Sequence, residues 1–412
     1  MTTDAPQNTT IDNKTRLVTV ALVVFCLFFQ NIATGGVALF LPLIQKDLGA
    51  SFTQGGGLAA ALLLTYSIMQ IPAGYMADRF GRKKVFVIGM LGVTVLTLLF
   101  ALVQNYWQAV TNQTLNGLFR AFLFAPGMAL LASWFSPQRR ATAMALYSLG
   151  MFSGQVIFNS VGPLMAAASS WRFPFIVFSA VGILASAAYL WLGKEPPAKA
   201  SQQIRVSQMF RLLRYKMMWY CNVIQFVRLA LLQGIVFWLP TLLINDKGLS
   251  LQVTGLIIAL RFFLIGPTTM LGSYMSDRFK KHTLIIAISL VIMAITTVLM
   301  VEVDNMALLI AVIMVNSIFV QFYFGPLFAI PVEVLGSHMT ATTTGVGNFF
   351  ANLGALTLTY LLGAIKDATG SFDTGFYIMA GACVVALVFT ILLGRTIRKP
   401  VHAAETSGHL SV

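Results

Sequence analysis

Gly74-Tyr75-Met76-Ala77-Asp78-Arg79-Phe80-Gly81-Arg82-Lys83-Lys84 closes one long apolar run and opens the next. Its charges are Asp78, Arg79, Arg82, Lys83 and Lys84, whereas the flanking stretches 53–76 and 85–103 carry none. A short charged turn between two runs of about 20 residues is the pattern of helices that cross hydrocarbon and meet at its surface. The same alternation continues in both directions. It predicts helices over residues 17–43, 53–76, 85–103, 106–133, 141–167 and 173–192, and a second set over 217–243, 251–276, 283–301, 306–332, 340–364 and 376–393.

Composition sets the solvent. Of the 412 residues, 58% are hydrophobic and 10% are charged, against about 25% charged in a soluble domain. This excludes a water-soluble enzyme and a disordered regulator. Roughly 240 apolar residues, at roughly 20 per crossing, suffice for about twelve spans, so the expected fold is an all-α membrane protein with twelve helices. The rest is thinly divided among loops and tails, with no room for a soluble module. Cys26, Cys221 and Cys383 lie in apolar runs and read as small buried hydrophobes. No nucleophile triad, metal cluster or phosphate loop appears at usable spacing, so neither enzymatic activity nor a cofactor is expected. The net charge of +14 is scattered in short clusters between apolar runs, a membrane pattern rather than a nucleic-acid surface.

The charges also orient the chain. Twenty of the 27 Lys and Arg fall in segments on the side of the N-terminus, and Lys46, Arg172, Lys247 and Lys366 fall in the opposite loops. The positive-inside rule therefore puts both termini in the cytoplasm. The polar stretch 193–215, with Pro196 and Pro197, divides the spans six and six. The expected organisation is a cytoplasmic tail over 1–16 leading into an uncleaved first span, a bundle over 17–192, a cytoplasmic linker over 193–215, a second bundle over 216–395 and a tail over 396–412. Tyr75-Met76-Ala77-Asp78-Arg79-Phe80 returns 199 residues later as Tyr274-Met275-Ser276-Asp277-Arg278-Phe279, the trace a duplicated transporter fold would leave.

The 74–84 stretch resembles the loop signature between helices two and three of the major facilitator superfamily. That resemblance implies two six-helix bundles, both termini cytoplasmic, that rock about a central site and open to each side in turn. It implies gating roles for Gly74, Asp78, Arg79 and Arg82, with Asp277, Arg278 and Glu333 at the same surface in the second half; in the family the aspartate helps latch the cytoplasmic side shut. On physical grounds Gly74 permits close helix approach, Asp78 can accept from donors at a helix N-terminus, and the basic residues anchor the loop at an anionic leaflet. Gln70-Ile71-Pro72-Ala73-Gly74, Trp134-Phe135-Ser136-Pro137-Gln138-Arg139-Arg140 and Pro331-Val332-Glu333 are similar to the organic-anion branch, the anion:cation symporters. The helix-five pattern of drug exporters is half present, with Gly162-Pro163 followed by Ala166-Ala167.

Three basic residues remain: Arg120, Arg228 and Arg261. At about 1.5 Å per residue each sits near the middle of its span. A guanidinium there costs at least about 2.5–3.5 kcal/mol and cannot shed its proton. All thirteen acidic residues lie in tails, loops or span ends, so the counter-charge is expected to arrive with an anionic small-molecule substrate. Gln113, Asn116 and Arg120 share a helix face, as do Thr254, Arg261 and Thr268. Asn222, Gln225 and Arg228 form a looser stripe, and Tyr66 with Gln70, Gln155 with Asn159, and Asn348 with Asn352 repeat the i, i+4 spacing. The expected ligand contacts are Arg120, Arg228, Arg261, Asn116, Gln225, Gln155, Asn159, Tyr66, Asn348 and Asn352. Gly150, Gly154, Gly345, Gly347 and Gly354 fit close helix crossings.

The reading is a monomeric secondary active transporter of a small organic anion in a bacterial inner membrane, working by alternating access. Resemblance to the symporters favours proton coupling, and the lack of a central carboxylate or histidine favours anion exchange. A drug or metabolite exporter of the same fold and a ligand sensor without net flux stay open beside it.

Overall fold

A chain in hydrocarbon must satisfy its backbone polar groups internally, and helices do this within one segment. The computed structural model describes residues 13–135, 140–195, 212, 214–335 and 340–398, and these are almost wholly helical. The first half comprises α1 (Asn13–Phe29), α2 (Ile32–Leu48), α3 (Phe52–Phe80), α4 (Arg82–Phe100), α5 (Tyr106–Ser133), α6 (Arg140–Ala168) and α7 (Arg172–Leu192). The second comprises α8 (Lys216–Thr241), extended by a π turn over Leu242–Asp246, then α9 (Leu251–Phe279), α10 (His282–Glu302), α11 (Met306–Phe322), α12 (Phe324–Leu335), α13 (Thr340–Thr369) and α14 (Asp373–Arg398). Span 1 is α1 plus α2 and span 10 is α11 plus α12, so fourteen helices make twelve spans in two bundles of six. Among the described residues, eleven helical segments are long and apolar enough to cross a membrane. The twelfth span is α6, whose middle turns carry Gln155, Asn159 and Ser160. Most of the expected linker, 196–211 and 213, lies outside the described residues, as do the terminal stretches 1–12 and 399–412, the turn at 136–139 and His338.

The bundles repeat one another beyond the loop motif. Ser51 and Ser250 cap α3 and α9, and Asn105 and Asn305 cap α5 and α11, each side chain accepting from a backbone N–H three residues on. Inside the first bundle the Asn116 amide of α5 turns to Thr97 and the Val93 carbonyl of α4; in the second, Asn316 of α11 donates to Thr296 Oγ1 of α10 at 3.0 Å. Gly154 and Gly354, 200 residues apart, press against the Phe28 carbonyl of α1 and the Phe226 carbonyl of α8, leaving no room for a Cβ at either crossing. These are two of the close crossings expected from the glycines.

Two long spans predicted as continuous are broken. Asn31 (φ −99°, ψ 0°) separates α1 from α2, and Tyr323 (φ −97°, ψ 9°) separates α11 from α12. Both sit in the sparsely populated bridge region. At the second break Pro326 offers no N–H to the Phe322 carbonyl. At the first, side chains from other helices occupy the polar groups of Asn31, as described below.

The bundles meet at the end away from the chain termini. There Asp367, near the end of α13, accepts from the backbone N–H groups of Phe52 at 3.0 Å and Thr53 at 2.6 Å, capping α3 of the other bundle. The Phe52 ring lies 6.2 Å from Trp238 and 6.0 Å from Phe372, with the Lys366 ammonium 5.7 Å away and itself bonded to Asp246. The contact loosens along the helices. Gly255 of α9 is in contact with Asn159 and Pro163 of α6, but eleven residues on a Cβ at Gly266 would meet only the Phe152 ring, at 3.8 Å. On α3, Gly56 abuts the α13 backbone at Thr359, whereas nothing lies within 4 Å of a Cβ at Gly74. The close approach expected at Gly74 is therefore absent in this conformation. Among the described residues the bundles are in contact at the far end and stand apart at Gly74 and Gly266, toward the end bearing the termini.

Removing the charge from the inter-bundle cap tests this arrangement. Asp367→Ala should cost about 1 kcal/mol of the closed far end, shifting the balance of forms roughly fivefold. Pulsed electron paramagnetic resonance between labels in the 101–105 and 303–305 turns should show the longer-distance population growing by that factor.

Candidate functional site

Each bundle places an arginine at a helix break. In the first, α5 carries Arg120 to the gap between α1 and α2. Its guanidinium donates to Asn31 Oδ1 at 2.6 Å and to Thr34 Oγ1, and lies 5.5 Å from the Tyr66 ring centroid. Gln155 Nε2 donates to the Asn31 carbonyl at 2.8 Å, Asn159 Nδ2 to Gln155 Oε1 at 3.1 Å, and the Tyr147 hydroxyl to Gln30 Oε1 at 3.1 Å. Four helices, α2, α3, α5 and α6, and the turn between α1 and α2 thus contribute to one knot around a cation held by neutral acceptors and a ring face. The nitrogen Nε of Arg120 has no partner.

In the second bundle, α8 carries Arg228 to the break in span 10. Its Nε donates to Gln225 Oε1 at 2.8 Å and its Nη1 to Gln321 Oε1 at 3.0 Å, with the guanidinium 4.9 Å from the Phe324 ring centroid. Arg228 is 3% exposed. A small cavity of about 10 Å³ lies inward of it between α8, α12 and α13, walled by Asn222, Gln225, Leu327, Thr343 and Gly347 among others. Neither polar atom of the Asn222 side chain has a hydrogen-bond partner.

Arg261 is different. It is 0% exposed, and its Nε, Nη1 and Nη2 all lack a hydrogen-bond partner. On α9 it stands eleven residues, three helical turns, from Gly272, which packs on the Phe322 carbonyl of α11, so its Cα faces α11. The crossing of α9 with α6, fixed by Gly255 at Asn159 and Gly266 at Phe152, sets Arg261 level with Gln155. Thr254 and Thr268 share its buried face as the spacing predicts, Thr254 Oγ1 again unpartnered and Thr268 bonded back to its own helix.

No described carboxylate contacts any of the three guanidiniums. Asp47 pairs with Arg172, Asp246 with Lys366, Asp304 with Lys247 and Glu333 with His282. Glu302 accepts from Tyr377, Asp367 caps α3, and Glu195 caps α4 by accepting from Arg82 N at 3.0 Å and Lys83 N at 3.1 Å. Buried Arg groups without a carboxylate constitute a concentrated positive field in low dielectric.

The remaining expected residues divide. The Asn116 amide nitrogen donates toward Thr97 Oγ1 and the Val93 carbonyl of α4, each at 3.5 Å, and its Oδ1 has no hydrogen-bond partner. Asn352 donates to the Asn348 carbonyl on its own helix at 2.8 Å, and the Asn348 side chain is half-buried. Asp78, Arg79 and Arg278 are exposed, Arg79 lying against Tyr75 and Phe80. The Asp277 side chain lies outside the described residues. A concavity of about 520 Å³ between α4 and α5, near Trp107 and Leu115, touches none of these groups. Asn31, Thr34 and Gln321 were not anticipated. Gln30-Asn31 inside an apolar run was the visible signal for the first; only the fold reveals Gln321.

Twelve spans in two repeated bundles with polar groups gathered at mid-depth define a multi-pass membrane transport protein. The Major Facilitator Superfamily profile matches residues 23–355 and 222–411, and the chain belongs to that family. It is similar to the D-galactonate transporter of an Escherichia coli strain, 21% identical over 95% of this chain and 98% of that one. It is likewise similar to the hexuronate transporter of Bacillus subtilis, 24% identical over 88% and 90%. Its fold is like that of a bacterial homolog of the human lysosomal transporter Spinster, solved in an inward-facing and occupied conformation, with a TM-score of 0.82 at 16% identity over 94% and 98% of the two chains.

Asn116 and Gln321 should behave oppositely on substitution. Asn116→Ala should lower the melting temperature, its inter-helix bond contributing about 0.6 kcal/mol, with no change in substrate KM. Gln321→Ala leaves a donor of buried Arg228 unpaired and should raise KM about tenfold. Thermal unfolding in detergent and uptake kinetics on the same preparations check both.

Proposed function

We propose that this protein is a secondary carrier of small organic anions, acid sugars or related carboxylates, in which Arg261 and Arg228, with Arg120, supply the positive charge that holds the cargo. The observation that carries this reading is Arg261, a wholly buried guanidinium with three unpartnered nitrogens and no described carboxylate in contact. A guanidinium fork donates two parallel hydrogen bonds to a carboxylate. The relatives named for galactonate and hexuronate support the same cargo class. Gln225, Gln155, Asn159, Tyr66, Asn348 and Asn352 serve as neutral partners for hydroxyls of the cargo or as struts for the arginines.

Binding drives transport through the charge. The bare site holds three mid-span cations in low dielectric, and an anion offsets that charge in one form more than in another, shifting the balance between forms. Far-end closure by Asp367 and parting at the terminal end mark one of two alternating forms. Asp78, Arg79, Arg82, Gly74, Asp277 and Arg278 close the terminal end in the other. With basic loops on the cytoplasmic side, the present form is open to the cytoplasm of a bacterial inner membrane. The carrier acts as a monomer, and inward proton flow supplies the energy.

Uptake into proteoliposomes tests the reading. Labelled D-galactonate, D-glucuronate and D-glucarate should enter, accumulate when the outside is acid, and compete with one another. Arg261→Gln should weaken their binding roughly 30-fold or more, as expected for a buried charged hydrogen bond, and Arg261→Lys should recover only part because it lacks the fork. Wild-type affinity in Arg261→Gln and Arg228→Gln would remove the arginines from the site. Uptake only into vesicles preloaded with anion would establish exchange instead of symport.

A further inference from the structure

The small cavity inward of Arg228 is lined by a side chain whose hydrogen bonds the protein does not complete. Asn222 of α8 is 0% exposed, borders the cavity, and has no partner for Oδ1 or for Nδ2. A buried carboxamide left in this way costs free energy that packing alone does not return. Gln225, one turn along the same helix, belongs to both places. Its Oε1 accepts from Arg228 Nε at 2.8 Å, and its Nε2 lies 3.7 Å from where a Cβ on Gly347 of α13 would stand. The residues around the cavity include no Asp, Glu, Lys or Arg.

Gly347 keeps the space open. Gly154 and Gly354 are required by helix crossings, because a Cβ on either would strike the backbone of a neighbouring helix. Gly347 has no such duty: a Cβ there would touch only the Gln225 side chain, at ordinary contact distance. The volume beside it is about 10 Å³, room for one water-sized group. A hydroxyl has that size. It also donates and accepts at once, which matches the donor and the acceptor of a carboxamide. A second carboxylate would instead be buried beside Leu327 and Phe328 with no cation in the cavity walls to offset it.

We propose that Asn222, with Gln225 Nε2 and the space kept by Gly347, forms a subsite for a hydroxyl of the cargo, so that Asn222 selects hydroxylated acids over plain carboxylic acids. The proposal rests on the organic-anion reading above and adds the part of the anion that is recognised besides its charge. Along α8, Asn222 lies about 9 Å from Arg228 toward the parted end. A six-carbon acid whose carboxylate is held by Arg228 reaches it with the hydroxyls at the far end of its chain. The hydroxyl donates to Asn222 Oδ1 and accepts from Asn222 Nδ2 or Gln225 Nε2. An acid without hydroxyls leaves the same groups buried and unpaired, and that difference is the selectivity.

Calorimetric titration of the purified full-length protein with D-galactonate and with hexanoate, which has as many carbons and no hydroxyl, tests the subsite. Wild-type protein should bind D-galactonate the more tightly. Asn222→Leu keeps the side-chain volume and removes both polar atoms; the ratio of the two dissociation constants should move roughly tenfold or more toward hexanoate, through loss of D-galactonate affinity. Gly347→Ala sets a methyl group in the cavity without striking any backbone, and D-galactonate affinity should fall there as well. A wild-type ratio in Asn222→Leu overturns the proposal. If that variant fails to fold, Gly347→Ala decides, and wild-type affinity for D-galactonate overturns it. Wild-type protein that binds hexanoate as tightly as D-galactonate overturns it too. Wild-type protein that binds neither acid refutes the organic-anion reading itself, and the subsite with it.

Discussion

A guanidinium in the middle of a membrane span cannot lose its proton and costs at least about 2.5–3.5 kcal/mol there. Three such groups with no described carboxylate in contact constrain everything around them. Arg120 and Arg228 are made tolerable by amide and hydroxyl oxygens and by ring faces. Arg261 receives no hydrogen bond partner at all. On our reading this inequality is functional: the first two arginines are partly neutralised and fixed in place, and the third keeps its donors for cargo.

The broken spans follow from the same constraint. A continuous helix keeps its backbone groups to itself and presents only side chains. At Asn31 and Tyr323 the chain leaves helical geometry, and the Asn31 carbonyl, which accepts from Gly35 N at the start of α2, takes a second bond from Gln155. Irregular backbone at membrane depth is tolerated only inside protein or along a water-filled cavity. The two breaks stand in different spans of the repeat, span 1 and span 10, and each faces an arginine from the complementary span. The duplicated halves have therefore kept their packing, as Asn116 and Asn316 or Gly154 and Gly354 show, while their polar interiors have diverged.

Much of the fold was legible in the sequence because hydrocarbon imposes long apolar runs and leaves charge only at their ends. The spans, the duplication at Tyr75 and Tyr274 and the three stranded arginines follow from counting. The breaks did not follow, because Gln30-Asn31 costs an apolar run too little to interrupt it on composition alone, and Tyr323 precedes a proline whose effect depends on packing. The partners of Arg228 were half visible: Gln225 lies three residues away on the same helix, but Gln321 is 93 residues distant and arrives only through the fold. Asn116 shares a face with Arg120, but helical spacing does not tell which neighbour its amide meets; only the fold turns the nitrogen toward Thr97 of α4.

The central claim is that cargo is held through its negative charge. Calorimetric titration of the purified protein with D-galactonate and with galactitol, which keeps the hydroxyl-bearing carbon chain but has no carboxylate, addresses it most directly. The account predicts saturable binding of the acid and none of the polyol over the same concentrations. Equal binding of the two would contradict it.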